Sequence, residues 1–194
     1  MLKTKISKTE ILQVDNPILR EISSAIPATE ISTVKIKKTI TLLKKALHSQ
    51  IDAAAISAIQ IGQPIRLFMI SKKVFSTDSE WPKKINETND LIFINPKITK
   101  TSKTKQLLEE GCLSVKYVYG KVLRPEKVTI EAYDEAGKKF SRGFSGLLAQ
   151  VVQHENDHLD GILFIDKAQD LQKISPEEYE KMLKELNGGL RGNK

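Results

Sequence analysis

The chain has 194 residues, 40% of them hydrophobic and 28% charged, with 31 lysines and arginines against 24 acids and a net charge of +7. That length lets one domain bury a core without disulfides or a structural metal, and no apolar run approaches the about 18 residues of a membrane span. Cys112 is the only cysteine, which excludes an intramolecular disulfide and fits a reducing, cytoplasmic compartment.

The opening stretch MLKTKISKTEILQVDNP has no continuous apolar segment and no small-residue cleavage site, and it carries Glu10 and Asp15. No export signal is expected there. Residues 30–50, EISTVKIKKTITLLKKALHSQ, place Ile31, Val34, Ile36, Ile40, Leu42, Leu43 and Leu47 mostly at helical spacing, with lysines elsewhere. This predicts an amphipathic surface helix with a solvated His48 at its polar end. IDAAAISAIQIG is small and apolar, and PIRLFMIS after it reads as a buried strand.

KKVFSTDSEWPKKINETND is polar and predicts an exposed loop. LIFINP then predicts a strand ended by Pro96, and KVTIEAYDEAGKKFSRG a hairpin about a turn near Asp134 to Gly137. GLLAQVVQHENDHL, residues 146–159, is helical and largely apolar, so it predicts a helix buried in the middle of the fold. SPEEYEKMLKELNGG predicts a C-terminal helix over about 176–187, capped by Ser175, opened by Pro176 and stopped at Gly188, with a short basic tail beyond. The class is α+β: antiparallel sheets around a central helix, with a C-terminal helix, in one domain over residues 1–194.

Chemistry concentrates in QHENDHLDG, residues 153–161. His154 and His158, four apart on a helix, share a face and can hold one metal ion, with Glu155 placed to handle protons. Buried without a partner these groups would be costly, whereas a metal satisfies the imidazole nitrogens. A catalytic centre of this kind takes three protein ligands and keeps an open position. The candidates for the third are His48, Cys112 and a carboxylate. His48 ends a lysine-rich helix and reads as solvated. Cys112 lies in LLEEGCLSVKY, where Gly111 allows tight backbone geometry, and its thiolate is the best available ligand for a borderline-soft ion.

EGCLS at Glu110 to Ser114, QHENDHLDG about 40 residues later and the AxQxG element at Ala58 to Gly62 together resemble peptide deformylase. The resemblance extends through NPILREIS, RLFMI, FINP, YGKVLRPEKVTIEAYDEAG and LLAQVVQHENDHLDGILFID, in the expected order. It implies removal of the formyl group from the N-terminal methionine of nascent polypeptides, with release of formate. It further implies one divalent ion on Cys112, His154 and His158, natively Fe(II) and replaceable by Zn(II), Ni(II) or Co(II). Glu155 would be the general base and then acid, and Gln60 with the backbone N–H of Leu113 would donate to the developing oxyanion. Glu110 and Arg124 would pair to brace the cysteine loop.

The methionine side chain would sit among Leu147, Gln150 and Val151, one and two helical turns before His154, with Ala55 and Ile56 on the other side. The family substrate and the net charge suggest a weak association with the ribosome. No aromatic-and-arginine platform occurs, so no DNA site is expected, and oligomeric state is not legible. The first motif departs from the family pattern G-x-G-L-A-A-x-Q: both glycines are alanine, Ala53 and Ala55, the next pair is Ser57 and Ala58, and Lys116 stands where proline follows EGCLSV. Narrowing of the groove at Ala55 is expected. The competing expectations are a deformylase-like metal-binding protein without catalysis and a zinc endopeptidase.

Overall fold

The computed structural model describes residues 10–75 and 89–191. Residues 1–9 of the opening stretch, 76–88 of the expected loop and 192–194 of the tail lie outside the described residues. Among the described residues there are three α-helices, α1 (Val34–His48), α2 (Gly146–Leu159) and α3 (Pro176–Arg191). The strands are β1 (Ala55–Ser57), β2 (Leu67–Ile70), β3 (Leu91–Thr101), β4 (Lys105–Cys112), β5 (Val115–Pro125), β6 (Lys127–Tyr133), β7 (Lys139–Ser145) and β8 (Gln169–Lys173). They form a five-stranded sheet of order β1-β2-β3-β6-β7 and a three-stranded sheet of order β4-β5-β8. Every pairing between these strands is antiparallel, so the α+β class holds.

The period-two alternation of strands sorts the apolar residues of the larger sheet between its faces. Leu67, Met69, Ile92 and Ile94 face α1 and meet its stripe of Ile36, Ile40, Leu43 and Leu47. Phe68, Ile70 and Phe93, with Val128, Ile130 and Ala132 of β6, face the other way and pack on Leu148, Ala149 and Val152 of α2. Stacked Phe68 and Phe93, ring centroids 4.5 Å apart, sit in this second layer. The smaller sheet closes a third cluster, in which Val115 and Val122 pack with Leu12, Leu19, Leu163 and Phe164. The central helix is therefore enclosed, as its apolar pattern predicts.

Three expectations need correction. β3 does not end at Pro96 but runs on to Thr101, with its register to β6 broken between Ile94 and Lys97. Proline cannot donate to a ladder and is tolerated where pairing is already broken. Asn95 takes φ 51° there, and its side chain accepts from the Ile26 N–H at 2.8 Å and donates to the Ile26 carbonyl at 2.7 Å. α3 likewise does not stop at Gly188 but continues to Arg191; glycine weakens a helix without forbidding it. At its start Ser175 and Glu178 exchange backbone and side-chain hydrogen bonds of 2.7 and 3.1 Å, a capping box. Of the expected polar loop, Lys72–Phe75 instead form a short 3-10 helix.

Gly111 has a packing role. Its backbone has no left-handed angle. It is small because a Cβ would lie 2.7 Å from the Tyr119 ring, which covers it from the paired strand β5. Gly161, at the end of QHENDHLDG, does need its freedom: φ is +73°, and a Cβ would come within 2.6 Å of the Arg20 carbonyl oxygen.

Candidate metal centre

α2 is tied to three strands by polar side chains, and these ties aim its functional face. Gln150 Nε2 donates to the Glu109 carbonyl of β4 at 2.8 Å, and Gln153 Nε2 to the Pro125 carbonyl of β5 at 3.0 Å. On the remaining side the Ser57 hydroxyl of β1 donates to Glu155 Oε2 at 2.5 Å. The histidines are thus held against the end of β4, where Cys112 and Val115 pair across a tight turn.

Cys112, His154 and His158 present ligand atoms that all lie within 4.8 Å of one another. Cys112 Sγ is 3.2 Å from His158 Nε2. His48 is elsewhere, with its Nε2 2.9 Å from Asp90 Oδ2. This donor set fits a borderline-soft divalent ion: one sulfur and two imidazoles converge, and the chain arranges the groups behind them. His154 Nδ1 is 3.0 Å from Glu110 Oε2, which fixes the ring and leaves its other nitrogen toward Cys112. Burial works against a proton on His154, yet hydrogen bonds to Cys112 and Glu110 and the charges of Cys112 and Glu155 raise its pKa well above the ordinary value. Burial and then the charge of His154 push His158 well below it.

Behind the ligands lies a buried ion network. Arg124 grips Glu110 through Nε at 2.8 Å and Nη2 at 2.9 Å, and reaches Asp157 Oδ2 through Nη1 at 2.6 Å. The side chains of Arg124 and Glu110 are only 4% and 2% exposed. The expected brace of the cysteine loop is present, and it extends into the helix through Asp157. Burial alone would raise the Glu110 pKa, but the Arg124 and His154 hydrogen bonds and charges lower it from 4.5 to about 2.

A group depressed on folding stabilises the fold above its unfolded pKa, and that contribution is lost as pH falls toward the folded value. Chemical denaturation followed downward from about pH 5 should therefore show roughly 3 kcal/mol of Glu110-dependent stability disappearing between 4.5 and about 2. Glu110→Gln should flatten the curve in that window, and an unchanged slope would show that Glu110 is not the group responsible.

Glu155 is 4% exposed. Burial raises its pKa, while the charge of His154 and the Ser57 hydrogen bond act in the opposite direction. A buried carboxylate with a raised pKa beside a metal-type cluster is suited to take up and release a proton. Gln60 approaches from the first motif. Its Oε1 accepts from the Ser57 backbone N–H at 2.8 Å, so its amide NH₂ is turned to the site, 3.1 Å from Ser114 Oγ and 3.6 Å from Cys112 Sγ.

A cleft of about 300 Å³ opens onto these groups. Of the residues expected to line it, Ala55, Gln60, Cys112, Leu113, Leu147, Gln150, Val151, His154 and Glu155 do so. Ile56 does not: its side chain is fully buried in the core under α1. His158 lies behind the cleft, 1% exposed. Ala53 and Ala55 also reach the cleft wall, and neither has a positive φ. Their methyl groups are accommodated on ordinary backbone.

Sequence reasoning gave no role to Ser57, Ser114, Asp157, Tyr117, Tyr119 or Tyr179. Ser57 had a signal, a hydroxyl in an otherwise apolar run; the others depend on which strands meet.

The polypeptide deformylase family model matches residues 8–174. Among curated relatives, a peptide deformylase of Psychrobacter cryohalolentis is 42% identical over 158 residues, covering 80% of this chain and 77% of its own. One of Rhizobium meliloti is 36% identical over 165 residues, 84% and 86% of the two chains. Among solved structures, a Synechococcus elongatus peptide deformylase in complex with actinonin aligns with a TM-score of 0.70 at 30% identity, over 96% of this chain and 91% of that one. A Met-Ala-Ser-bound peptide deformylase of Acinetobacter baumannii gives a TM-score of 0.73 at 27% identity, over 84% and 99%.

Proposed function

The chain belongs to the peptide deformylase family, and from that membership we propose that its cleft hydrolyses the N-formyl amide of N-terminal formylmethionine on newly made polypeptides, with Glu155 moving the protons. The observation that carries this assignment of roles is the convergence of one cysteine and two histidines within 4.8 Å, with Glu155 lining the same cleft and its carboxylate fixed by Ser57.

Cys112, His154 and His158 would hold one divalent ion, Fe(II) by family resemblance, which when bound supplies Lewis-acid polarisation and acidifies water. The rest is done by the chain. Ser57 occupies Glu155 Oε2, so Oε1 is the oxygen left to take a proton from the attacking water. Water adds to the formyl carbon, the C–N bond breaks, and the proton held on Glu155 passes to the departing amine nitrogen, giving formate and a free amino terminus. Gln60 Nε2, oriented through Oε1, and the N–H of Leu113 beside Cys112 would donate to the formyl oxygen as it gains negative charge. Leu147 and Val151 offer apolar surface for the methionine side chain.

The third ligand comes from a strand loop upstream of the helix, unlike a zinc endopeptidase that draws it from downstream of H-E-x-x-H. α3 and both sheets border one cleft, which supports one catalytic domain over 1–194. No helix among the described residues is long and apolar enough to cross a membrane. The lone cysteine supports a cytoplasmic setting, and the +7 charge supports a weak, salt-sensitive attraction to ribosomal RNA. Substrate profiling tests the reaction: formyl-Met peptides should be cleaved, while acetyl-Met peptides and internal peptide bonds should stay intact. Cleavage of internal bonds would replace the proposal with a peptidase.

A further inference from the structure

The positive charge of the chain is unevenly placed. α1 has five lysines among its 15 residues and no acid, so this one helix supplies +5 of the chain's +7. Ile36, Ile40, Leu43 and Leu47 turn its apolar stripe into the core. At 100° per residue Lys38 and Lys45 stand opposite that stripe, with Lys35 and Lys37 on its flanks, and all four are exposed. Among the described residues none of the four makes an ion pair.

This placement works against the helix itself. Lys35, Lys37 and Lys38 sit near its start, where the macrodipole favours anions, and the first turn holds no acid. Lys35 and Lys38, three apart, repel each other with no opposite charge between them. No carboxylate among the described residues answers these charges, so the fitting partner is an external anion.

The setting of the helix narrows the kind. α1 packs on the Leu67, Met69, Ile92 and Ile94 face of the larger sheet and α2 on the other, and no α1 residue lines the catalytic cleft. A molecule seated on α1 leaves the cleft open. Lys35 and Lys45 are about 15 Å apart along the axis, a span that suits a row of phosphates rather than one. Alternation from Tyr133, which packs with the α1 cluster, puts Lys127 of β6 on the same side of the sheet, and Lys100 pairs beside it with Thr129. Both lysines line a shallow groove with no acidic residue in its wall. Glu131, the acid of that strand, is taken by Lys139 at 2.8 Å. A lipid surface fits poorly, because the stripe that would enter it is already buried and Val34 is the helix's one exposed large hydrophobic residue.

From this arrangement we propose that the lysine face of α1, extended by Lys100 and Lys127, docks the phosphate backbone of RNA. The choice of RNA among polyanions rests on the deformylase reading, since a protein acting on newly made polypeptides works where RNA is abundant. Ammonium groups meet phosphates as point charges, so the docking is independent of base sequence and weakens steeply with salt.

The test follows the anisotropy of a fluorescein-labelled RNA hairpin titrated with full-length, metal-loaded protein between about 50 and 200 mM salt. Wild type should bind with a log–log salt slope of about −4. Lys35→Glu with Lys38→Glu should lower affinity by about tenfold or more and flatten the slope by about 2, with formate release from a formyl-Met peptide unchanged. The melting temperature of this variant should hold or rise, since acids suit the first turns of a helix. Lys181→Glu with Lys184→Glu makes the same charge change on exposed positions of α3 and should bind RNA within about twofold of wild type. Absent or salt-independent binding by wild type, or equal losses in the two variants, would overturn the proposal. So would tighter binding to a DNA hairpin of the same sequence, or recovery of the protein on phosphatidylglycerol vesicles in preference to the RNA. If RNA binding depends on α1 while no formylated peptide yields formate, the surface stands and the deformylase reading fails.

Discussion

Glu155→Gln is expected to lower kcat for formyl-Met peptides by about 1,000-fold while metal content and melting temperature stay near wild type. Glutamine keeps the shape of the side chain, and its Oε1 can still accept the Ser57 hydroxyl that now bonds Glu155 at 2.5 Å. What it loses is the capacity to hold a proton between attack and departure. Glu155 is buried and ordered by β1, so solvent cannot readily supply a substitute base. Steady-state kinetics on samples matched for metal content would check this. A variant within a fewfold of wild type would show that another group moves the proton.

Arg124→Ala is expected to cost about 3–5 kcal/mol of stability, because it strands a nearly fully buried Glu110 and unties Asp157. The loss should reach the ligands. Glu110 orients His154 through Nδ1, so metal affinity should fall by roughly 10–100-fold in the protein that remains folded. Arg124→Lys should recover only part of either effect, since an ammonium cannot reproduce the two parallel bonds to Glu110 together with the one to Asp157. Denaturant titration and chelator competition measure the two losses separately. Wild-type metal affinity in a destabilised Arg124→Ala protein would confine the network to folding.

Much of this was legible because local pattern and global role coincide. The apolar run from Gly146 to Leu159 gives α2 within its observed bounds, and the four-residue spacing of its histidines fixes their common face. Cys112 could be paired with them from ligand chemistry, and the Glu110–Arg124 brace from family resemblance. Where chain-distant packing decides, the sequence was mute or misleading. Gly111 looks like a turn residue but makes room for the Tyr119 ring. Pro96 looks like a strand end but occupies a register break anchored by Asn95. Gly188 looks like a helix stop, although α3 continues past it.

The first motif shows the same divide. Two missing glycines suggested a narrower groove at Ala55, and Ala53 and Ala55 do line the cleft, on ordinary backbone. The consequential departure is Ser57, whose hydroxyl holds Glu155 while its backbone N–H turns Gln60 toward the site. A hydroxyl in that apolar run marks the position, but its partners depend on where the end of β1 meets α2 and Gln60.

The central claim, that Cys112, His154, His158 and Glu155 act together on a formyl amide, is tested most directly by formate release from a formyl-Met peptide at measured metal occupancy. With one Fe(II) or Ni(II) per chain, formate should appear in step with free amino termini, and should vanish when a chelator removes the ion and return when it is restored. A fully loaded protein that releases no formate would contradict the account.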